Sequence, residues 1–156
     1  MRLRRGCALW WVALLAALAD RLTKALVANA RAGALIPGIL NLRPVENRGV
    51  AFSMLWGQGL VTTVLTALLI AGVTGWLIAK PDMPRLSRVG LWLIVGGGLG
   101  NLYDRLAFGG VTDFLELAFV RFAVFNVADV CICVGAALVL AGEMASERIR
   151  GRRVRS

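Results

Sequence analysis

Four long apolar segments, separated by charged or by glycine- and proline-rich stretches, are the feature that most constrains this chain. They cover about residues 7–28, 58–79, 89–105 and 124–144. Hydrophobic residues make up 58% of the 156 positions, above the share of about half found in ordinary soluble domains. A helix needs about 20 mainly apolar residues to cross the hydrocarbon layer of a bilayer. The sequence therefore predicts an all-α membrane protein, a single integral membrane domain over residues 1–156 with four transmembrane helices.

The first apolar segment also resembles a secretion signal, because a basic start is followed by an apolar run and then by Ala17-Leu18-Ala19, a cleavage-site pattern. The apolar pattern continues to about residue 28 without a helix breaker, and three more apolar segments follow. We therefore predict that the first helix is retained.

The charge balance is strongly basic, with 18 Lys and Arg against 9 Asp and Glu and a net charge of +9. Most of the cations form three patches that flank apolar segments: Arg2, Arg4 and Arg5; Lys80, Arg85 and Arg88; Arg148, Arg150, Arg152, Arg153 and Arg155. Cytoplasmic loops of membrane proteins carry such an excess of positive charge. The patches therefore predict cytoplasmic termini and contact with the phospholipid bilayer, and they argue against a nucleic-acid partner.

Two further stretches, which connect the first apolar segment to the second and the third to the fourth, are expected on the opposite side of the membrane. Residues 29–57 carry prolines, glycines and short β-prone pieces, which predicts a small β-containing segment on the membrane surface. Residues 106–123 contain a Gly109-Gly110 turn, and residues 111–117 follow it as a short strand or an interfacial helix. With both termini inside, every polar motif falls on the outer side.

The stretch of residues 97–129 concentrates polar groups in otherwise oily sequence: Asn101, Asp104, Arg105, Asp113, Asn126 and Asp129. A lone charge in hydrocarbon costs at least ~2.5 kcal/mol, so such residues face a protein interior or a wet cavity and mark a site. Asp113 and Asp129 lie just before and just inside the last apolar segment. Paired carboxyl groups there are the simplest device for general acid–base chemistry.

Other polar and small residues leave alternatives open. Asp20 and Lys24 stand one helical turn apart and are either a boundary pair at the membrane surface or part of the site. Asp104 could pair with Arg105 or, across the bundle, with Lys24. Gly97 and Gly98 fit either close helix packing or close approach of a substrate.

The sequence offers little for metal or cofactor chemistry. It contains no histidine, and its three cysteines lie inside predicted spans, where neither a disulfide framework nor a zinc site fits. We therefore expect no metal and no cofactor.

Five ordered motifs resemble those of the bacterial prolipoprotein signal peptidases, also called signal peptidase II. They are Asp20-x-x-Thr23-Lys24, Asn47-x-Gly49-x-Ala51-Phe52, GGLGNLYDR at 97–105, Val111-x-Asp113-Phe114, and Phe125-Asn126-x-Ala128-Asp129. Each motif alone is weak, but all five in order on a chain of this length are specific, and the resemblance covers nearly the whole chain.

The resemblance implies a membrane aspartyl endopeptidase that removes the signal peptide from diacylglyceryl-modified prolipoproteins by cutting before the lipidated Cys. In that family the aspartates of the last two motifs are catalytic, which carries over to Asp113 and Asp129. Supporting positions read here Asp20, Lys24, Asn47, Gly49, Asn101, Asp104, Arg105, Asn126 and Ala128. The resemblance further implies the bacterial cytoplasmic (inner) membrane, an extracytoplasmic active site and sensitivity to globomycin. We expect a monomer with diacylated prolipoproteins as substrates.

Two other classes of function remain as hypotheses. Intramembrane acids also occur in proton-coupled transporters, which need polar groups reachable from both sides of the membrane. A small assembly factor would use the same residues only to join helices, and it would tolerate Asp→Asn changes at Asp113 and Asp129.

Overall fold

The computed structural model describes residues 9–48 and 59–154, and of residues 151–154 only the backbone. The described residues form four helices and three strands. In chain order these are α1 (Trp10–Val27), β1 (Gly33–Ile36), β2 (Leu40–Asn47), α2 (Gly59–Ala79), α3 (Arg85–Phe108), β3 (Val111–Leu117) and α4 (Val127–Val154). The mostly helical class and the small sheet are confirmed, and residues 111–117 form the strand rather than the interfacial helix.

Two boundaries differ from the predicted spans because helices begin and end at backbone caps, not where hydrophobicity changes. The third helix begins at Arg85 and continues to Phe108, whereas 89–105 was expected. The last helix begins at Val127, not at residue 124, and continues through the basic tail to Val154.

Among the described residues, two helices are long and apolar enough to cross a bilayer by length and composition, namely α2 and the part Val127–Arg150 of α4. The 21 residues of α2 span about 30 Å, which matches the hydrocarbon thickness of a bilayer. Large apolar side chains cover the outside of the fold, among them Leu26, Leu60 and Leu106. An exterior of this kind suits a lipid environment.

Helix α3 is the central element, and it packs against α1, α2 and α4. Small residues allow the close approach. Gly96 lies against Ala13 of α1, Gly97 against Ala128 of α4, and Gly90 against Gly135 of α4. These contacts support the packing interpretation for Gly97.

Gly97→Ala is expected to destabilise the protein by about 1–3 kcal/mol, because the new Cβ would overlap the carbonyl oxygen of Ala128 and lie 2.9 Å from Ile132. Gly72→Ala on α2 is the matched control, since a Cβ there meets nothing within 4 Å. Melting temperatures in the same detergent compare the two. Equal values would contradict a close α3–α4 contact at this position.

The sheet is antiparallel in the order β1-β2-β3 and places β3 beside the helices. Gly109 caps the C-terminus of α3: it takes φ 77° and donates its N–H to the Arg105 carbonyl at 3.1 Å. The chain then enters β3, where Asp113 lies opposite Val45 and Val111 opposite Asn47. Because side chains alternate along a strand, Val111 and Asp113 share one face, and both are buried.

Candidate active site

The site is assembled where the chain returns from the sheet to begin α4. The carbonyl of Phe125 accepts the N–H groups of Phe114 (3.0 Å) and Leu115 (2.8 Å) of β3. This pairing fixes Asn126, the residue before the helix, beside Asp113. The loop of residues 118–124 thus brings together two motifs that lie more than ten residues apart in sequence.

Asn126 and Asp129 form a reciprocal cap at the start of α4. The Asn126 Oδ1 accepts the Asp129 N–H at 3.0 Å, and the Asp129 Oδ2 accepts the Asn126 N–H at 3.1 Å. This arrangement has the geometry of a capping box, and it satisfies two helix-terminal N–H groups. The carboxylate of Asp129 is therefore positioned by the helix terminus itself, where the helix dipole favours negative charge.

Asn126 also connects the two aspartates. Because its Oδ1 faces a backbone donor, its Nδ2 points to the Asp113 Oδ1 at 2.6 Å. The second oxygen of Asp113 accepts the Asn47 Nδ2 at 2.9 Å. Asn126 is fully buried and Asp113 nearly so. Asn126 thus contacts both predicted carboxyl groups, Asp113 through its side-chain amide and Asp129 through its backbone N–H.

Asn101 of α3 is oriented in the same way by a lysine. The Lys24 Nζ, which can only donate, lies 3.1 Å from the Asn101 Oδ1. The Asn101 Nδ2 must then face the other way, and it donates to the Asp129 Oδ1 at 2.9 Å. Both oxygens of Asp129 therefore accept hydrogen bonds, from Asn101 and from Asn126.

A buried ion cluster lies behind Asn101. Lys24 is 2.8 Å from Asp20 and 2.8 Å from Asp104, and all three side chains are at most 2% exposed. Arg21 adds a contact of 2.6 Å to Asp104, and the Thr112 N–H donates to the same carboxylate at 3.2 Å. Asp20 and Lys24 are thus part of the interior, not a boundary pair at the surface.

Asp20 links this cluster to the helix that carries Asp129. Its Oδ1 accepts the Ala128 N–H at 3.0 Å, so it caps the first turn of α4 from a helix more than 100 residues earlier. Ala128 is itself fully buried. Gly100 makes room for this arrangement, because a Cβ there would lie 2.5 Å from the Asp20 Oδ2.

A cavity of about 440 Å³ opens at the aspartate pair. Its walls are mostly apolar and include Leu117, Phe122 and Val134, while Asp113, Asp129 and Arg105 supply its polar part. Burial raises the pKa of Asp113 to about 6; donation from Asn47 opposes the rise, and the nearby charge of Asp129 adds to it. A carboxyl group of this kind takes up and releases protons near neutral pH.

The predicted site residues converge, with two qualifications. Arg105 makes no ion pair with a described residue, so of the two partners considered for Asp104 the structure selects Lys24 and not Arg105. Its guanidinium donates to the Asn101 carbonyl at 3.3 Å and lines the cavity. Gly49 lies outside the described residues. Within the described ranges no group of three acidic or cysteine side chains is arranged to hold a metal ion.

Arg21 is the member of the cluster that the sequence did not indicate. It stacks on the Tyr103 ring at 4.6 Å while it pairs with Asp104. In the sequence, an arginine next to Asp20 looks the same whether it faces lipid headgroups or the protein interior. Only its spacing of three residues from Lys24 could have suggested that the two side chains share a helix face.

Comparisons with known proteins agree with this arrangement. A family model described as signal peptidase (SPase) II matches residues 12–144. The chain is 39% identical over 142 residues to a lipoprotein signal peptidase of Gloeobacter violaceus, covering 88% of this chain and 82% of that protein. It is 38% identical over 138 residues to the lipoprotein signal peptidase of Thermosynechococcus vestitus, covering 84% and 87%.

Two solved structures described as bacterial membrane enzymes share the fold. One has a TM-score of 0.79 at 24% identity and covers 88% of this chain and 87% of its own. The other has a TM-score of 0.75 at 25% identity and covers 84% and 88%. The family model matches most of this chain, and the relatives are close to 40% identical to it. This chain therefore belongs to the signal peptidase II family of membrane peptidases.

Proposed function

We propose that this chain removes the signal peptide from diacylglyceryl-modified prolipoproteins by cutting before the lipidated Cys, with Asp113 and Asp129 as the catalytic pair. The observation that carries the proposal is the buried residue Asn126, which donates its side-chain amide to Asp113 and its backbone N–H to Asp129, the two carboxylates that line the 440 Å³ cavity. The names of the relatives support the substrate class. Because the chain belongs to a peptidase family, we prefer the peptidase function to the transporter hypothesis.

In the proposed reaction a water molecule attacks the scissile carbonyl carbon. The ionised carboxylate takes one proton from the water, and the protonated carboxyl group donates its proton to the leaving nitrogen as the C–N bond breaks. Asp113 is the proton donor in this proposal, since burial raises its pKa to about 6 and it therefore carries the proton in the free enzyme below about that pH. Asp129 accepts hydrogen bonds from the Asn101 side chain and from the Asn126 N–H at the N-terminus of α4, and in this proposal it is the base that takes the proton from water.

Arg105 and the apolar walls have complementary roles in this proposal. The guanidinium lines the cavity with both aspartates and supplies positive charge where the carbonyl oxygen becomes an oxyanion. The apolar walls around Phe122 and Val134 accommodate the acyl chains and the apolar signal segment of the substrate. The remaining supporting residues, Asp20, Lys24, Asn101 and Asp104, hold the pair in position through the buried cluster.

The proposed topology has four membrane spans in the bacterial cytoplasmic membrane. The three basic patches at the chain ends and in the α2–α3 connection support a cytoplasmic location of those segments. The aspartate pair and the sheet then lie on the extracytoplasmic side, where a translocated precursor would present its cleavage site.

The substrate assignment is tested by comparing a diacylated prolipoprotein peptide with the same peptide lacking the acyl chains. The proposal expects cleavage of the diacylated peptide with a kcat/KM at least about 100-fold higher, because two long acyl chains supply binding energy that the bare peptide lacks. A mutated peptide with Ser in place of the lipidated Cys is the negative control. Equal rates on the diacylated and bare peptides would refute the substrate class.

The pH dependence of cleavage follows from the raised pKa of Asp113. The required proton is present below about pH 6 and is lost as the pH rises through that value, so kcat/KM should fall on the alkaline side with an apparent pKa near 6. Bound substrate excludes water and favours the neutral form, so the fall in kcat should lie at higher pH.

Asn47→Ala provides the check on that assignment. The substitution removes a donor to the ionised Asp113, so the alkaline fall in kcat/KM should move to higher pH. Glu46→Ala, one residue earlier on β2, is the control and should leave the profile in place. An unchanged alkaline limb in Asn47→Ala would assign the titration to another group.

A further inference from the structure

A second cavity, of about 640 Å³, lies at the end of the helices opposite the aspartate pair. It is bounded by the α2–α3 connection and by the later part of α4. The Lys80 Nζ lies 5.3 Å from the centre of the Trp76 ring, a cation–π contact at the last turn of α2. Trp and Lys side chains at a helix end are typical of the membrane–water interface. In the proposed topology, this cavity lies at the depth of lipid headgroups.

Helix α4 presents a graded face to this cavity. Val139, Glu143, Ser146 and Arg150 line it at spacings of four, three and four residues, which is one face of a helix. Over about 16 Å the face changes from apolar to carboxylate, hydroxyl and guanidinium. Apolar side chains of the neighbouring helices, including Leu91, continue the deep wall. A phospholipid has the same order of apolar chains followed by charged groups.

The charged side chains that line the cavity are balanced in number, and the nearby Arg88, whose guanidinium donates to the Met83 carbonyl at 3.3 Å, is not among them. Lys80 and Arg150 supply two positive charges, whereas Asp82 and Glu143 supply two negative charges. The first turn of α3 adds its positive pole, because it contains no acidic residue and Pro84 provides no side-chain cap. A purely anionic headgroup would be repelled by the two carboxylates, and a purely cationic headgroup would be repelled by the two cations. A zwitterionic headgroup satisfies both sets.

Glu143 accepts a hydrogen bond on one of its two carboxylate oxygens. The Ser87 hydroxyl, which is 1% exposed, donates to the Glu143 Oε1 at 2.8 Å. An ionised carboxylate accepts further hydrogen bonds on its second oxygen. A primary ammonium group with three N–H donors matches this acceptor, whereas a trimethylated ammonium has no N–H to donate.

We propose that this cavity binds phosphatidylethanolamine, with the phosphate between Lys80 and Arg150 and the ammonium group on Glu143. The acyl chains follow the apolar wall toward Leu91 and Val139. The inference rests on the membrane placement of the proposed function but is independent of the aspartate pair, because the two cavities lie at opposite ends of the helices.

The test is lipid binding by the purified full chain in detergent, without peptide substrate. Phosphatidylethanolamine, phosphatidylcholine and phosphatidylglycerol with identical acyl chains are titrated, and the melting temperature and lipid-bound masses by native mass spectrometry are recorded. Phosphatidylethanolamine is expected to give the largest shift and the longest-retained adduct. Equal responses to all three lipids, or a larger response to phosphatidylglycerol, would overturn the proposal.

Glu143→Gln separates the proposal from a general lipid effect. Gln keeps an oxygen acceptor for Ser87 but loses the charge, so affinity for phosphatidylethanolamine should fall about tenfold, to the level of phosphatidylcholine. Glu147→Gln, an exposed position on the same helix outside the cavity, is the matched control. Lys80→Gln should weaken binding of all three lipids, because each of them carries a phosphate group. An undiminished preference in Glu143→Gln contradicts the site, and because no substrate is present this result leaves the peptidase assignment intact.

Discussion

Replacement of either Asp113 or Asp129 by Asn is expected to lower the kcat for prolipoprotein cleavage about 1000-fold or more. Each substitution removes one of the two groups that must hold or release a proton during hydrolysis. An amide cannot take a proton from water or donate one to the leaving nitrogen at neutral pH. The two single variants and the double variant should have similar residual rates, because groups that act as a unit are not additive.

The structural cost of these variants must be separated from their chemical cost. Both oxygens of each aspartate accept hydrogen bonds, so an Asn side chain places an NH₂ group against a donor such as Asn47 or Asn101. The melting temperature and the thermal shift caused by the uncleaved lipopeptide are therefore measured beside kcat. Folded, substrate-binding and inactive variants support the assignment. A folded variant that retains more than about a tenth of the wild-type kcat would exclude that aspartate from the pair.

Glu116→Gln is the matched control for these variants. Glu116 lies on β3 with Asp113 but pairs with Arg43, which lowers the pKa of the Glu116 carboxyl, and it does not line the 440 Å³ cavity. Loss of its charge should leave kcat within about twofold of the wild type, because an exposed ion pair contributes little.

Asp104→Ala is expected to destabilise the protein by about 3–5 kcal/mol, which is a large part of the ~5–15 kcal/mol typical of a folded domain. Asp104 is fully buried and pairs with Lys24 at 2.8 Å and with Arg21 at 2.6 Å. Its loss leaves Lys24 with one carboxylate where there were two, and it frees the Thr112 N–H that holds β3 to the helices. A lower melting temperature and a lower yield of membrane-inserted protein should follow.

Glu46→Ala provides the comparison for Asp104→Ala, because it removes one partner of the exposed Glu46–Arg48 pair. The melting temperature of this variant should remain close to that of the wild type. If Asp104→Ala instead melts like the wild type but loses turnover, Asp104 belongs to the reacting groups and not to the scaffold.

The apolar helices and the shared position of Asn126 and Asp129 at one helix end were predictable because each rests on local sequence. Long apolar runs predict α2 and α4, and the spacing of three residues between Asn126 and Asp129 puts both at the same end of one helix. The reciprocal cap that joins them follows from that spacing.

The remaining features depend on contacts between distant segments. Whether Arg21 faces lipid headgroups or the interior is decided by Asp104, a residue 83 positions later on another helix. The contact between Asn126 and Asp113 requires the loop of residues 118–124 to return Phe125 to β3, and no local pattern specifies that return. The start of α3 at Arg85 was missed because hydropathy does not register a charged first turn that follows Pro84.

The most direct test of the account is mass spectrometry of the products when purified wild-type protein is incubated with a diacylated prolipoprotein peptide in detergent containing a chelator. The account predicts a single cut immediately before the lipidated Cys in the wild type, at a rate unchanged by the chelator, and no cut by the Asp129→Asn variant in parallel. Cleavage at another bond, cleavage abolished by the chelator, or an equal rate with Asp129→Asn would contradict it.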